Sequence, residues 1–191
     1  SKELCFIVVL FTLLRFVAVL LMELSPQDAY YSYYSENLAL SYFDHPPMVA
    51  YMIWFFSLFL GRSEIALHVT NFIVTSGTIL FTFIAFKPFL SKIQSKLLLI
   101  LLLSAPYITI LSINTTPDIP LLFFWSVSLL LFRYILFGKG SLTSDNSQLA
   151  NHKADWYLWL FVGISGGFAF DSKYTCIFLP ASFVLFLLLS S

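Results

Sequence analysis

Ionisable side chains are concentrated in one stretch, SPQDAYYSYYSENLALSYFDHPPM, at residues 25–48 of an otherwise apolar chain. Asp28 follows the end of an apolar run, and the pKa of a carboxylate beside apolar surface rises toward the range that suits a general base. The same spacing fits a solvated loop acid or a helix N-terminal cap. Most of the neighbouring tyrosines have the amphipathic build of anchors at a membrane interface.

Asp44 and His45 are adjacent in the motif FDHPP. A carboxylate beside an imidazole can bind a metal ion, donate to a phosphate oxygen or move a proton. A histidine and an aspartate in a loop also commonly have a structural role. The pattern therefore permits a divalent metal ion without requiring one.

Two further ionisable side chains stand at the boundaries of apolar runs. Asp118 lies in the segment SINTTPDIP, where proline and aspartate favour a turn by themselves. Lys173 lies in AFDSKYTCIF, where a cation near a bilayer pairs with an acid, reaches the interface or binds an anion. Asp171 is a ready partner, so a local ion pair competes with anion binding at Lys173.

The elements that must position these side chains are membrane helices. Hydrophobic residues make up 59% of the chain and charged residues 10%, whereas soluble domains have roughly 45–50% and 25%. Runs such as LCFIVVLFTLLRFVAVLLM are long enough to cross a hydrocarbon layer of about 30 Å as helices. The helical form is expected because backbone groups in lipid must hydrogen-bond within the segment. The formal net charge is zero, which argues neither for nucleic acid nor for a polybasic surface anchor.

About six stretches are predicted to span the membrane: 4–22, 65–86, 96–113, 119–137, 156–171 and 174–190. Residues 48–60 are apolar but too few to cross comfortably, so this stretch is predicted to lie at the interface, with Pro46 and Pro47 at its start. The fold class is therefore all-α and polytopic. Residues 23–64 form one large outer loop that contains interfacial helices.

The distribution of charge sets the orientation. If residues 48–60 do not cross, one side of the membrane receives Lys2, Lys87, Lys92, Lys96, Lys139 and Lys153. Positive loops favour the cytoplasm, so the N-terminus is predicted to be cytoplasmic. Separate loops then deliver Asp28, Asp44 and Asp118 to one extracytoplasmic surface.

Polar side chains inside the apolar runs are predicted to face other helices. Arg15 stands deep in the first run, where it is expected to find an acid or a carbonyl. His68 and Asn71 are three residues apart near the outer end of a helix and are expected to hydrogen-bond between helices.

Three ordered segments resemble a known family. The run LSPQDAYYSYYSENLALSYFDHPPMVAYMIWFFSLFLG resembles the first outer loop of GT-C glycosyltransferases of the dolichyl-phosphate-mannose protein mannosyltransferase type, which include bacterial aminoarabinose transferases acting on lipid A. TTPDIPLLFFWSVSLLLFRYIL and GISGGFAFDSKYTCIFLP resemble later segments in the same order. The resemblance covers nearly the whole chain, and it implies that residues 1–191 are the N-terminal membrane part of a longer enzyme whose C-terminal remainder is absent.

The resemblance implies a reaction and its partners. A sugar passes from a polyprenyl-phosphate donor to a hydroxyl acceptor, which is a lipid, glycan or protein. The reaction takes place on the extracytoplasmic face of a bacterial inner membrane or its equivalent. Direct displacement with inversion is expected, because one base and a good leaving group suffice.

The resemblance also implies roles for individual residues. Asp28 is the catalytic base, because the family often has Asp-Glu before Ala-Tyr-Tyr and Gln27 replaces the first acid here. His45 and Lys173 bind the donor phosphate. Asp118 and Asp44 contact the acceptor or a divalent metal ion.

Two other functions fit the sequence. A non-catalytic membrane subunit or pseudoenzyme would tolerate the amide at Gln27. A transporter for a lipid or small solute would place polar residues in mid-membrane and break its helices, whereas only Arg15 stands deep here. Replacing Asp28 by Asn separates an enzyme, which loses transfer while still inserting, from a scaffold, which changes little.

Overall fold

The computed structural model describes residues 2–138 and 156–190, and within them the chain is helical without strands. The helices, in chain order, are α1 (Lys2–Leu21), α2 (Pro26–Glu36), α3 (Met48–Leu60), α4 (Glu64–Phe86), α5 (Lys92–Ser104), α6 (Pro106–Ile113), α7 (Asp118–Phe137), α8 (Trp156–Phe170) and α9 (Phe178–Ser190). Short 3₁₀ helices follow α4 at Lys87–Phe89 and precede α9 at Tyr174–Ile177. The all-α membrane fold that the sequence predicts is confirmed.

Helix α4 is the centre of the bundle and packs against α1, α3, α5, α6 and α7. It begins at Ser63, whose side chain accepts a hydrogen bond from the Ala66 backbone N–H and so caps the helix. Its 23 residues extend about 34 Å at 1.5 Å per residue, enough to cross the hydrocarbon layer. Helix α7 packs against both α4 and α8, so these three helices position everything that follows.

The structure has fewer unbroken spans than the six that the sequence predicts. Among the described residues, α4 with its 3₁₀ extension and α7 are long and apolar enough to cross a membrane, and the number rises to 4 if each of two bent helix pairs counts as one span. Helices α8 and α9 have 15 and 13 residues, or about 22 and 20 Å, which is short for a crossing. Length and composition therefore identify two to four of the roughly six predicted spans among the described residues.

The predicted helix 96–113 is broken rather than continuous. Helices α5 and α6 meet at a 42° bend, where Ala105 has extended backbone angles of φ −61° and ψ 116°. Pro106 explains the break, because proline disfavours the helical conformation of the preceding residue and cannot donate a backbone hydrogen bond.

The segment between α1 and α4 contains the two helices expected in the first loop. Helix α2 turns away from α1 by 81° and packs against α3. The connection between them is folded around Tyr42, whose hydroxyl donates to the backbone carbonyls of Tyr34 and Asn37 at 2.9 and 3.0 Å. Tyr31 of α2, Val49 and Ile53 of α3, and Leu67 of α4 form the core beneath this segment.

Opposite ends of the bundle carry different charges. His68 lies near the start of α4 and close to Asp28, whereas Lys87 follows the end of α4, about 28 Å farther along the helix axis. Lys92 begins α5 at that same far end. Asp118 begins α7, and Phe137 at the other end of α7 packs against Phe89, just after the end of α4, so the two helices run in the same direction. Within the described residues, the acids and the lysine-rich connection therefore lie at opposite ends.

Candidate functional site

Asp118 and Lys173 form an ion pair at the acidic end of the bundle. Lys173 Nζ lies 2.9 Å from Asp118 Oδ1 and 3.2 Å from Oδ2. Asp118 is the first residue of α7, where the helix dipole favours a carboxylate, and Lys173 stands in extended conformation just before the 3₁₀ helix that precedes α9. The side chains are 22% and 37% exposed, so a ligand can reach both.

Asp171, one of the two alternatives that the sequence offers for Lys173, does not pair with it, because Lys173 pairs with Asp118. The backbone carbonyl of Asp171 accepts a hydrogen bond from the Met48 N–H at 3.0 Å. This bond fastens the start of α3 to the connection after α8. The segment that ends in His45, Pro46 and Pro47 is therefore held beside the segment that carries Lys173.

Asp28 is completely buried near the start of α2. It forms a capping box with Ser25, in which the Ser25 hydroxyl accepts from the Asp28 N–H and the Asp28 carboxylate accepts from the Ser25 N–H at 2.9 Å. Oδ2 also accepts from the Ser25 hydroxyl at 2.7 Å, and Oδ1 accepts from the Thr115 N–H at 2.7 Å. The sequence offered Asp28 as the N-cap of this helix; in the structure Ser25 is the N-cap, and Asp28 is its capping-box partner in the first turn.

The expectation that Asp28 has a raised pKa is wrong. Burial by itself raises the pKa of a carboxyl group, but the interactions with His68, Thr115 and Ser25 together outweigh burial and hold the pKa of Asp28 well below its usual range. Its charged form is stabilised and both oxygens are occupied. Asp28 is therefore a weak base, and its carboxylate is not accessible to a substrate.

A buried polar network continues from Asp28 into the bundle. His68 Nε2 lies 3.6 Å from Asp28 Oδ2, an ion-pair distance. One turn later on α4, Asn71 Nδ2 donates to Thr115 Oγ1 at 2.8 Å, so Asn71 bonds to the connection between α6 and α7 and not to another helix.

Arg15 is buried in the same bundle and its partners differ from those predicted. Its Nη2 atom donates to Thr75 Oγ1 at 2.8 Å and to Ser112 Oγ at 2.6 Å. Its guanidinium carbon lies 5.3 Å from the centre of the Phe72 ring. Hydroxyls and an aromatic face therefore replace the acid or carbonyl that was expected for this cation.

Tyr31 is buried in the core beneath the first loop and lies close to His45. Its ring centre lies 6.0 Å from that of His45, and the side chain is buried. Burial raises the pKa of Tyr31, and the charges of Asp44 and Asp118 add to the effect.

Asp44 is held by tyrosines at the exposed edge of the site. The Tyr30 hydroxyl lies 2.8 and 2.7 Å from the two carboxylate oxygens of Asp44, and the Tyr34 hydroxyl donates to Oδ1 at 3.4 Å. The Tyr30 and Tyr34 hydroxyls also bond to each other. The hydrogen bond with Tyr34 and the interaction with Asp44 raise the pKa of Tyr30, which stays a neutral donor.

The described residues do not form a chelating metal site. Across residues 2–138 and 156–190, no three His, Cys, Asp or Glu side chains converge as ligands. Asp118 is paired with Lys173, and Asp44 accepts from tyrosine hydroxyls. Asp44 and Asp118, which the sequence suggested as ligands of a divalent ion, therefore make separate contacts.

Sequence patterns assign no individual role to several residues that the structure places at this site. Thr115 supplies the backbone N–H for Asp28, and the Tyr107 side chain interacts with Asp118. Tyr31 was grouped with the interfacial tyrosines, yet it is only 1% exposed. Its three-residue spacing from Asp28 on one helix face was the available signal, because residues three apart are neighbours on a helix.

An apolar groove of about 870 Å³ begins beside the site. Met48, Tyr51 and Pro120 line the end nearest to His45 and Asp118, and the wall continues along the bundle with residues of α3, α4 and α7, such as Phe56, Ile73, Val74 and Phe123. The groove therefore runs from the charged end toward the middle of the bundle.

These features define a helical integral membrane protein with a charged site at one end of its bundle. The chain belongs to the dolichyl-phosphate-mannose-protein mannosyltransferase family, whose profile matches residues 44–145, just over half of the chain. The resemblance to membrane glycosyltransferases of the GT-C type is thereby confirmed. The matched range contains Asp44, His45 and Asp118, whereas Asp28 and Lys173 lie outside it. No curated protein and no solved structure gave a significant match.

Proposed function

We propose that this protein transfers a sugar from a polyprenyl-phosphate donor to a hydroxyl acceptor at the Asp118–Lys173 end of the bundle. The observation that carries the proposal is the ion pair between Asp118 at the start of α7 and Lys173 in the connection after α8, both of which remain partly exposed. The family match supports the reaction class. The donor, the acceptor and the stereochemistry belong to the proposal.

Lys173 and His45 bind the phosphate of the donor in this proposal. The Lys173 ammonium is accessible, and the hydrogen bond between Met48 and Asp171 holds the His45 segment close to it. Cations placed where the leaving phosphate gains charge lower the barrier to its departure. Donor binding would draw Lys173 toward the phosphate and release the carboxylate of Asp118.

We assign the proton transfer to Asp118 rather than to Asp28. Asp28 is buried and its oxygens are occupied, whereas Asp118 is accessible. The acceptor oxygen forms a bond to the anomeric carbon, and its proton passes to Asp118. The bond from that carbon to the phosphate oxygen breaks, and the electron pair leaves with the phosphate. Attack opposite the leaving group inverts the anomeric centre, by the logic of single-displacement glycosidases.

The apolar groove supports a donor with a long hydrocarbon chain. Met48 and Pro120, which line it, are close in sequence to His45 and Asp118, and its walls are almost entirely apolar side chains. Burying a methylene group of the chain contributes about 0.8 kcal/mol. A polyprenyl chain in this groove would place its phosphate beside Lys173.

The charge distribution supports an extracytoplasmic site. Lys87 and Lys92 lie at the end of the bundle opposite to Asp118, and positive loops favour the cytoplasm. The proposed location is therefore the outer face of a bacterial inner membrane or an equivalent membrane.

The test measures transfer by the full-length protein in membranes with a panel of labelled polyprenyl-phosphate sugars, with and without a chelator. Wild type should transfer one or more labels, and Asp118→Asn and Lys173→Met should lose transfer while still inserting. Lys92→Met is the matched control, since Lys92 is exposed at the far end of the bundle. Transfer unaffected by both site variants would refute the assignment.

A second candidate is a non-catalytic membrane subunit of the same fold. The observation that favours it is the environment of positions 27 and 28. Gln27 is exposed and neutral, whereas the acid beside it is buried in a capping box. Absence of transfer from every donor, with normal insertion, would favour this candidate over the enzyme.

A further inference from the structure

Helix α4 holds the turn that precedes Asp118 at two points. Asn71 donates directly to the Thr115 side chain at 2.8 Å. His68 acts through Asp28, whose Oδ2 atom it approaches to 3.6 Å while Oδ1 accepts from the Thr115 backbone at 2.7 Å. Both contacts end on one residue, three positions before Asp118.

The link through Asp28 is buried and has little freedom. Asp28 is 0% exposed and His68 is 1% exposed. Ser25 donates to Asp28 Oδ2 from its backbone and its hydroxyl, and His68 packs against the same oxygen, so Ser25 and His68 together enclose one side of the carboxylate. His68 Nε2 has no hydrogen-bond partner within 3.5 Å. A polar atom buried in this way is costly unless a charge or dipole faces it, and the carboxylate of Asp28 does so.

We infer that His68 is a positioning residue for sugar transfer, acting through Asp28 and Thr115 on the placement of Asp118 opposite Lys173. This inference rests on the proposed function. His68 is buried and touches neither Asp118 nor Lys173, so it takes no part in bond making. It keeps the ionised Asp28 carboxylate directed at the Thr115 N–H, and that bond fixes where α7 begins.

The inference predicts a kinetic defect without unfolding. In His68→Gln, the side chain keeps a hydrogen-bonding amide but loses the imidazole that faces Asp28, so the turn at Thr115 gains freedom. Because a misplacement of about 1 Å at a reacting group can cost roughly 100-fold in rate, kcat should fall about 10- to 100-fold while the KM for the donor changes little. Thermal unfolding of His68→Gln should stay within a few degrees of that of wild type.

A structural readout separates this inference from the proposed function. The labelling rate of Lys173 by a membrane-impermeant amine reagent, followed by mass spectrometry on the full-length protein, reports whether Lys173 is paired with Asp118. This rate should rise severalfold in His68→Gln and in Asp28→Asn, and the double variant should resemble the single ones. Thr78→Val is the matched control, since Thr78 is buried on α4 and bonds only within its own helix, to the Val74 carbonyl.

The outcomes are distinguishable. Unchanged Lys173 labelling in His68→Gln would overturn the inference, as would loss of activity in proportion to the loss of folded protein. Increased labelling with no transfer from any donor, even by wild type, would support the coupling from His68 to the Asp118–Lys173 pair and count against the proposed function instead.

Discussion

Lys173 Nζ lies 2.9 Å from Asp118 Oδ1, although 55 positions separate the two residues in sequence. The pair joins the start of α7 to the connection after α8. Because both side chains are partly exposed, the pair contributes at most about 1 kcal/mol to stability. The pair therefore adds little to the stability of the fold, and the proposed function assigns Lys173 to the donor phosphate.

Removal of the Lys173 charge should impair the reaction rather than the fold. We expect Lys173→Met to lower kcat/KM about 100-fold or more, since a preorganised group that stabilises transition-state charge is commonly worth 10²–10³ in rate. The measurement is initial rate against donor concentration for protein in membranes. Lys92→Met should behave as wild type. A Lys173→Met protein with wild-type kinetics would show that the phosphate binds elsewhere.

The stability of the protein should depend on the charge of Asp28. The pKa of Asp28 is lower in the folded protein than the unfolded value of about 3.9. The Asp28 carboxylate therefore takes up a proton less readily in the folded protein than in the unfolded chain. Its contribution to the free energy of unfolding is fully present above about pH 4 and is lost as the pH falls further. Thermal unfolding in detergent from pH 7 to pH 3 should show this loss for wild type.

Asp28→Asn provides the control for that pH dependence. The variant should unfold at a lower temperature than wild type at pH 7, because an amide cannot accept from Ser25 and Thr115 as a carboxylate does. The gap between the two unfolding temperatures should narrow toward pH 3. A constant gap across this range would mean that Asp28 does not titrate with folding.

The sequence predicted the architecture better than the contacts of the site. Apolar run lengths and the lysine pattern indicated the bundle and the shared end of Asp28 and Asp118, because hydrophobic length and loop charge are properties of each segment alone. The partner of Lys173 depends on how α7 and α8 meet. Asp171, the acid nearest to Lys173 in sequence, is therefore not the acid with which it pairs. The environment of Asp28 likewise depends on Thr115, which is 87 positions away.

Arg15 tests how a buried cation is supported inside the bundle. Thr75 and Ser112 each bond to a carbonyl of their own helix and lie 3.0 Å from each other, so both stay satisfied when Arg15 is replaced. We expect Arg15→Met to change the free energy of unfolding by about 1 kcal/mol or less, because replacing a buried charge by an apolar group of similar size is often neutral.

The converse substitution should be far more harmful. Thr75→Val combined with Ser112→Ala leaves the buried guanidinium without its two hydroxyl partners, which should cost about 3–5 kcal/mol. Unfolding by denaturant in mixed micelles compares the variants. If Arg15→Met were the more destabilised protein, the guanidinium would have a partner outside these two hydroxyls.

Gly77 should tolerate no side chain. A Cβ atom there would lie 2.8 Å from Cε2 of Phe123, which packs edge-on against Phe81. We expect Gly77→Ala to destabilise the protein by about 1–3 kcal/mol, the usual cost of overpacking, as a lower unfolding temperature. Gly163→Ala is the matched control, because no atom lies within 4 Å of its added Cβ. Gly163→Ala should be as stable as wild type or more stable by up to about 1 kcal/mol, because alanine has the higher helix propensity. Equal stability of the Gly77→Ala and Gly163→Ala proteins would mean that Phe123 moves aside freely.

Obstruction of the apolar groove should discriminate between donors by chain length. Ile73 lines the groove on α4, and Ile73→Trp would fill part of the space that we assign to the polyprenyl chain. A long-chain donor loses buried methylene groups worth about 0.8 kcal/mol each, so its KM should rise at least tenfold, whereas a donor with one or two isoprene units should be little affected. Val9→Trp is the control of equal size, since Val9 is exposed on α1 and lies outside the groove. Equal effects of Ile73→Trp on long and short donors would place the chain on another surface of the bundle.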